Sequence, residues 1–321
     1  MDSLSYSCQT LRIPSFFQEK SYADRLIELN KRHSFFYTLG PSDTTTFPMR
    51  IPDLYKRLLD IKKDYSVDKK MRVVIIGLGQ AELPMYSIEE YFCPQFIEIL
   101  AALSDMKVEF TLIDCSNKAL EIAKNPYEYE FHYSYQNVDA DFEESTTFRE
   151  MRNSLASIMI DAKPEDFYNW TMRIFKIDRK KLGNISIYAY KGYSQNIDYG
   201  EGLVDIIIST YTLRYVLTSL YGDQRTDLII RKVRALKPWG RFLANDEDIY
   251  PYLSIGTEKQ VNNTLEEIEQ AFNIKIPDFK VAMRHYGKII EIQKIPIGII
   301  KAPGDVKQKL SQHATGIPSN L

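Results

Sequence analysis

The chain reads as an α/β protein: a mostly parallel sheet of about seven strands, helices on both faces, and a C-terminal antiparallel hairpin. Three observations predict this. From Arg72 onward, strand-like and helical patterns alternate, as they do where strands are joined by crossover helices. Residues 73–76 and 203–209 are almost unbroken apolar runs, the pattern of parallel strands buried on both faces. Residues 279–284 and 288–293, joined through His285-Tyr286-Gly287, read as a closing hairpin.

Taken in order, residues 1–20 look irregular, with Phe16 and Phe17 as candidate anchors. Residues 21–34 and 52–64 carry helical periodicity, separated by a Gly-Pro-Ser-Asp-Thr loop at 40–46. A strand at 73–76 runs into Gly77-Leu78-Gly79, and residues 87–103 read as a helix that Glu82 helps to open. A second strand, 107–113, ends at Asp114, and a short helix follows over 117–124 with Pro126 after it. Residues 127–182 are aromatic, charged and helical in places, for example 148–160, ending in the turn Lys180-Lys181-Leu182-Gly183; they fill the space of a short connection. Strands at 185–190, 203–209 and 241–244 follow, with helices over 223–236, stopped by Pro238 and Gly240, and over 258–272. The organisation expected is an N-terminal helical extension over 1–70, a main domain over 71–303 with an insertion at 127–182, and a tail over 304–321.

Bulk properties narrow the function. Of 321 residues, 44% are hydrophobic and 26% charged, an ordinary globular composition. The net charge of −2 supplies no basic field for nucleic acid or anionic membrane. The chain shows neither an apolar run of about 20 residues nor the basic and apolar regions of a signal peptide. Cys8, Cys93 and Cys115 show no metal spacing and read as reduced thiols, so a cytoplasmic setting is expected. The four histidines are scattered, which argues against a metal site.

The strand-turn at 73–82 carries the chemistry. Glycine permits close approach of backbone to a ligand. The carboxylate of Glu82 argues against a phosphate there, because a helix start built for phosphate would not also present negative charge. A dinucleotide fingerprint needs glycine at 82 and an acid about 20 residues further on. Position 82 is Glu, and the next strand-terminal acid, Asp114, lies too far beyond it. A cationic or uncharged nucleoside suits the site instead. S-adenosylmethionine (SAM), with a sulfonium, an ammonium, a ribose and no phosphate, fits.

Four motifs then stand in order: Gly77-Leu78-Gly79-Gln80-Ala81-Glu82, Phe110-Thr111-Leu112-Ile113-Asp114, Val204-Asp205-Ile206-Ile207-Ile208-Ser209 and Leu236-Lys237-Pro238-Trp239-Gly240. Over about residues 71–295 they resemble the motifs of class I SAM-dependent methyltransferases, which implies a Rossmann-like fold and SAM as cofactor. Within that superfamily, the runs Ala81-Glu82-Leu83-Pro84-Met85-Tyr86-Ser87-Ile88 and Asp114 through Ala123 resemble the chemotaxis-receptor methyltransferases, which methylate protein glutamates. The chain departs from them at Ser209-Thr210-Tyr211, where they carry Cys-Arg-Asn, and shows no basic N-terminal helical domain. Both departures argue against receptor glutamate as the acceptor.

The resemblance implies cofactor-binding positions at Gly77, Gly79, Glu82, Asp114, Cys115, Tyr193 and Thr210, and candidate catalytic positions at the mouth of the cleft in Tyr211, facing the methyl and the substrate, and Arg214. Asp114 can accept two ribose hydroxyls or cap the following helix. Glu82 can favour the sulfonium or complement a helix dipole. Cys115 reads as a small residue after a strand rather than a nucleophile. Tyr193 suits a ring contact or a surface loop. Arg214 suits an anionic acceptor or a solvated helix face. The period-two aromatics Tyr127, Tyr129, Phe131, Tyr133 and Tyr135, with Phe167, Tyr168 and Trp170, read as packing or as a wall that dries the cleft.

Methyl transfer from a sulfonium needs alignment and exclusion of water rather than a nucleophile-base pair, and no such pair is visible. The expected function is SAM-dependent methyl transfer to a small-molecule or protein acceptor. The alternative is a catalytically inactive relative serving as a binding or regulatory module, since Ala81 and Trp239 stand where the family carries glycines. RNA methylation is disfavoured by the absence of a basic patch or an Asn/Asp-Pro-Pro-Tyr-type motif.

Overall fold

The computed structural model describes residues 52–78, 82–83, 90–91, 94–114, 117–128, 130–133, 145–167, 173–192, 194, 198–210, 212–213, 223–245, 270 and 279–297. The helix expected at 21–34, the loop at 40–46, the tail and, but for residue 270, which is helical, the helix expected at 258–272 lie outside these residues.

Seven strands form one sheet. They are β1 (Met71–Ile76), β4 (Val108–Asp114), β7 (Ile185–Lys191), β8 (Val204–Ser209), β9 (Leu236–Asn245), β10 (Phe279–Tyr286) and β11 (Ile289–Pro296), in the spatial order β10-β11-β9-β8-β1-β4-β7. β1 pairs in parallel with β4 and β8, β4 with β7, and β8 with β9; β11 runs antiparallel to both β9 and β10. This is the Rossmann-like sheet with a C-terminal antiparallel pair that the sequence predicts. β8 is buried at every position, consistent with its apolar run.

The apolar residues of the sheet divide between two faces. On one, Val73, Ile75, Phe110 and Leu112 meet α1 (Pro52–Lys63), α2 (Pro94–Ala102), α3 (Asn117–Lys124) and α4 (Thr146–Ile158). On the other, Val74, Ile76, Ile207 and Phe242 meet Leu228, Ile229 and Val233 of α5 (Asp223–Ala235). α1 is also pinned to the distant hairpin. Its Arg57 donates two hydrogen bonds to the buried Glu291 carboxylate, at 2.6 and 3.0 Å, and lies over the Tyr286 ring. Asp53 accepts the Lys288 N–H at 2.9 Å beside Gly287, where a Cβ would overlap that carboxylate and φ is +55°.

Three local expectations need correction. The helix expected over 87–103, opened by Glu82, is replaced at its start by a short antiparallel pair, β2 (Glu82–Leu83) with β3 (Glu90–Tyr91). Leu83 precedes Pro84, and a residue before proline is pushed into extended backbone. The helix starts instead at Pro94, which supplies the fixed φ and missing N–H tolerated at a helix start. The helix expected to 236 ends at Ala235, and β9 begins at once, with an irregular register between Val204 and Ile206. The closing hairpin turns over two residues, Gly287 and Lys288, rather than three, because Tyr286 pairs with Ile289.

Within 127–182, α4 is capped by Ser145, whose Oγ accepts the Phe148 N–H, and packs on α2 and α1. The Tyr55 hydroxyl donates to Ser154 Oγ at 2.9 Å. β5 (Glu130–Tyr133) pairs antiparallel with β6 (Arg173–Lys176), and residues 179–182 form a short 3-10 turn. Phe167 is 1% exposed and stacks on Phe175 at 4.6 Å. Of its two readings, packing is therefore the one the fold realises. Tyr127 lies beneath the Arg179 guanidinium.

Candidate functional site

The strand order reverses at β1: β4 and β7 lie on one side, β8 and β9 on the other. In open α/β sheets the crevice outside the carboxyl ends at such a reversal is where ligands bind. The residues there are Gly77 and Leu78 after β1, Asp114 ending β4, Gly192 after β7, and Ser209 and Thr210 at the end of β8.

Hydrogen bonds tie these ends into a rigid rim. Gly77 donates its N–H to the Ile113 carbonyl at 2.8 Å. Leu78 donates its N–H to Asp114 Oδ2, also at 2.8 Å. Gly192 donates to the Asp114 carbonyl at 2.9 Å. Asp114 is 4% exposed. Its side chain thus links the first turn to the second strand, a role distinct from capping the helix that follows.

Gly77 adopts φ +76°, a conformation that only glycine takes readily. A Cβ there would overlap the Thr212 side chain. The close approach that glycine permits is therefore made here by Thr212, whose Oγ1 donates to the Thr210 carbonyl at 3.2 Å. Thr210 is buried.

Of the residues singled out in the sequence, the fold brings together Gly77, Asp114 and Thr210. Gly79, Cys115, Tyr193, Tyr211 and Arg214 lie outside the described residues, as do Tyr129, Tyr135, Tyr168 and Trp170. Glu82 lies in β2 rather than at a helix start, so its reading as a partner of a helix dipole is overturned.

Sequence reasoning missed three features. The Leu78 amide and Thr212 carry no residue-type signal. The third is a buried polar cluster beside the rim. Lys232 of α5 is 1% exposed and donates to the Ser194 carbonyl and to the Tyr199 hydroxyl at 2.9 Å. Burial, with the neighbouring Arg231 charge second, holds the Lys232 amine well below the usual lysine range. Burial pushes the Tyr199 phenol up. A signal existed: Lys232 sits four residues after the buried Leu228 and next to Val233, on the inward stripe of its helix. The hydroxyls of Ser194 and Ser209 are both buried without a hydrogen-bonding partner, which is unusual for native polar groups.

This rim suits a nucleoside. A carboxylate accepts from vicinal hydroxyls, and the partnerless hydroxyls of Ser194 and Ser209 belong to the chain after β7 and to the end of β8. Among the described residues, no three His, Cys, Asp or Glu side chains gather as metal ligands, and no helix is long and apolar enough to cross a membrane.

No protein-family model matches the chain, and no curated protein matches its sequence. Solved structures do overlap with it. A SAM-dependent methyltransferase from Aquifex aeolicus is 13% identical, with a TM-score of 0.37 over 87% of this chain and 100% of that one. The N-methyltransferase NodS from Bradyrhizobium japonicum WM9, in complex with S-adenosyl-L-homocysteine (SAH), is 11% identical, with a TM-score of 0.37 over 78% of this chain and 89% of that one. The antibiotic-resistance methyltransferase Kmr is 12% identical, with a TM-score of 0.35 over 75% of this chain and 93% of that one. Overlaps of this depth carry nothing about activity, and the fold rests on the strand order above.

Proposed function

We propose that the chain is a SAM-dependent methyltransferase that binds its cofactor across the carboxyl ends of β1, β4 and β8. One observation carries this reading: the strand reversal gathers Gly77 and Asp114, from two separate sequence motifs, and Thr210, which follows a third, at one rim.

Bound SAM supplies a methyl group already activated on a sulfonium. The remaining work is orientation and exclusion of water. Asp114, held by the Leu78 amide, accepts the ribose hydroxyls with its carboxylate. The turn at Gly77 and the Thr210 side of the rim flank the nucleoside, with Gly79, Cys115 and Tyr193 adjoining them in sequence. Tyr211 and Arg214 follow β8 in the chain and frame the acceptor. The acceptor is a small molecule or a protein side chain, and the nucleophile displaces the sulfur in line.

A second reading, a non-catalytic binding module, draws on Thr212, which fills the space above Gly77. Calorimetric titration with SAM and SAH is the first test, followed by labelled SAM in a cell extract. Micromolar binding with label transfer supports the enzyme. Binding without transfer supports the module. Absence of binding at millimolar SAM and SAH removes both readings.

A further inference from the structure

We infer that Lys232 is a positioning residue for the nucleoside side of the cleft, holding in place the chain that leaves β7 beside Asp114. The inference rests on the SAM reading of that cleft.

The segment from 192 to 199 is anchored at its start, where Gly192 donates to the Asp114 carbonyl at 2.9 Å. At its end, Tyr199 is 2% exposed and belongs to the core under α5. Lys232 joins the two described parts between these anchors. Its side-chain nitrogen donates to the Ser194 carbonyl and to the Tyr199 hydroxyl, and lies 4.2 Å from the centre of the Tyr199 ring. One side chain thus reaches from the helix on one face of the sheet to the loop at its carboxyl edge.

The chemistry of the pair is unusual. A buried amine is ordinarily matched by a carboxylate. Among the described residues Lys232 makes no ion pair; it faces a carbonyl, a phenol and the charge of Arg231. A methionine of similar length would fill the same space without desolvating an amine. It would also leave the Ser194 carbonyl and the Tyr199 hydroxyl without their donor, and an unmade buried hydrogen bond is unfavourable. What the amine adds over an apolar side chain is the tether on the loop. Ser194 itself is 4% exposed, and its hydroxyl lacks a partner. Holding its carbonyl therefore also fixes a partnerless hydrogen-bonding group two residues from Gly192. Releasing the tether loosens the side of the cleft next to Asp114 and leaves β1, β4 and β8 as they are.

The experiment compares wild type with Lys232→Met and Tyr199→Phe. Each is titrated with SAH and with adenosine, which carries the nucleoside alone, and hydrogen exchange is followed without ligand. Lys232→Met is expected to weaken both ligands by the same factor, about tenfold or more, the effect of losing a buried hydrogen bond at a site. Exchange should rise over 192–200 and stay unchanged in β1, β4 and β8. Tyr199→Phe keeps the amine and its bond to Ser194, and should weaken both ligands by about two- to fivefold, the effect of one weaker contact; it carries the test if the methionine variant does not fold. Wild-type affinity for both ligands in the variants overturns the inference, as does a loss confined to SAH. Failure of the wild-type protein to bind either ligand instead overturns the SAM reading itself.

Discussion

The carboxylate of Asp114, at the end of β4, accepts the amide proton of Leu78, just past the end of β1, over 2.8 Å. One side chain thereby sets the first turn of the cleft and presents a negative charge to it. Asp114→Ala should weaken SAH binding by about 1–3 kcal/mol, the penalty for buried polar groups that lose a partner. It should also lower the melting temperature. Asp114→Asn keeps a carbonyl oxygen for Leu78 and should retain most of the stability while still weakening SAH. Calorimetry and thermal melts separate the two effects. Wild-type SAH affinity in the alanine variant would leave Asp114 as a bracket and nothing more.

Gly77 should tolerate no side chain. Gly77→Ala meets both a left-handed φ of +76° and the Thr212 side chain. We expect a loss of about 1–3 kcal/mol from backbone strain, with the steric overlap added to it. The double variant Gly77→Ala/Thr212→Gly should recover only the overlap. Urea denaturation of the single and double variants checks this; complete recovery would show that φ at 77 is unimportant.

Trp239 also adopts a left-handed backbone, φ +68°, at the position where the resembling motif carries glycine. A Cβ in that region is unfavourable by about 1–2 kcal/mol. Truncation to alanine keeps this strain, whereas truncation to glycine removes it. Trp239→Gly should therefore be more stable than Trp239→Ala by about 1 kcal/mol, after allowing for glycine's greater freedom in the unfolded chain. The reverse order in denaturant melts would contradict the conformation.

Glu291 is fully buried and held by the Arg57 fork, with Arg241 and Arg284 further off at 3.8 and 3.9 Å. Arg57→Met should destabilise by about 3–5 kcal/mol, because removing one partner of a buried pair strands the other charge. Arg57→Met/Glu291→Leu should recover much of that loss. If the double variant is no better than the single, the carboxylate is already satisfied by the other two arginines.

Lys232 gives a pH signature. Its folded pKa is depressed below 10.5, so below that pH the unfolded chain binds more protons at this site than the folded one. Stability contributed by the site is fully present above the unfolded pKa and falls as pH drops towards the folded value. The stability of wild type relative to Lys232→Met should therefore rise between pH 7 and pH 10. A difference that stays flat across that window would mean that Lys232 is charged in the fold.

The sheet was legible in the sequence because its strands announce themselves. Residues 73–76 and 206–208 are apolar on both faces, and the helix at 117–124 sits between a strand-ending Asp and a Pro. The error at 90–91 has a physical source. In sequence, Ile88, Tyr91 and Phe92 extend backwards the helical stripe to which Ile97 belongs, while Pro84 and Pro94, residues that a helix interior does not tolerate, interrupt it. Of the candidate site, the placement of Asp114 and Gly77 at the carboxyl ends of their strands was readable, since both directly follow or end an apolar strand pattern. Of the Lys232 cluster only the place of Lys232 on the inward stripe of its helix was readable, because its three members come from a helix and two parts of a loop, and no spacing in the chain joins them.

The pairing of Arg57 with Glu291 spans 234 residues of chain. During synthesis the first described helix leaves the ribosome long before the strand that receives it. Until β11 is made, α1 can rest on α2 and α4 but cannot bury its guanidinium against a carboxylate. Contacts this distant in sequence delay completion of a fold, and the interval leaves apolar surface of the sheet uncovered. The last hairpin therefore serves as the clasp of the domain. A nascent chain stopped before residue 279 has every strand of the cleft and none of the lock on its first helix.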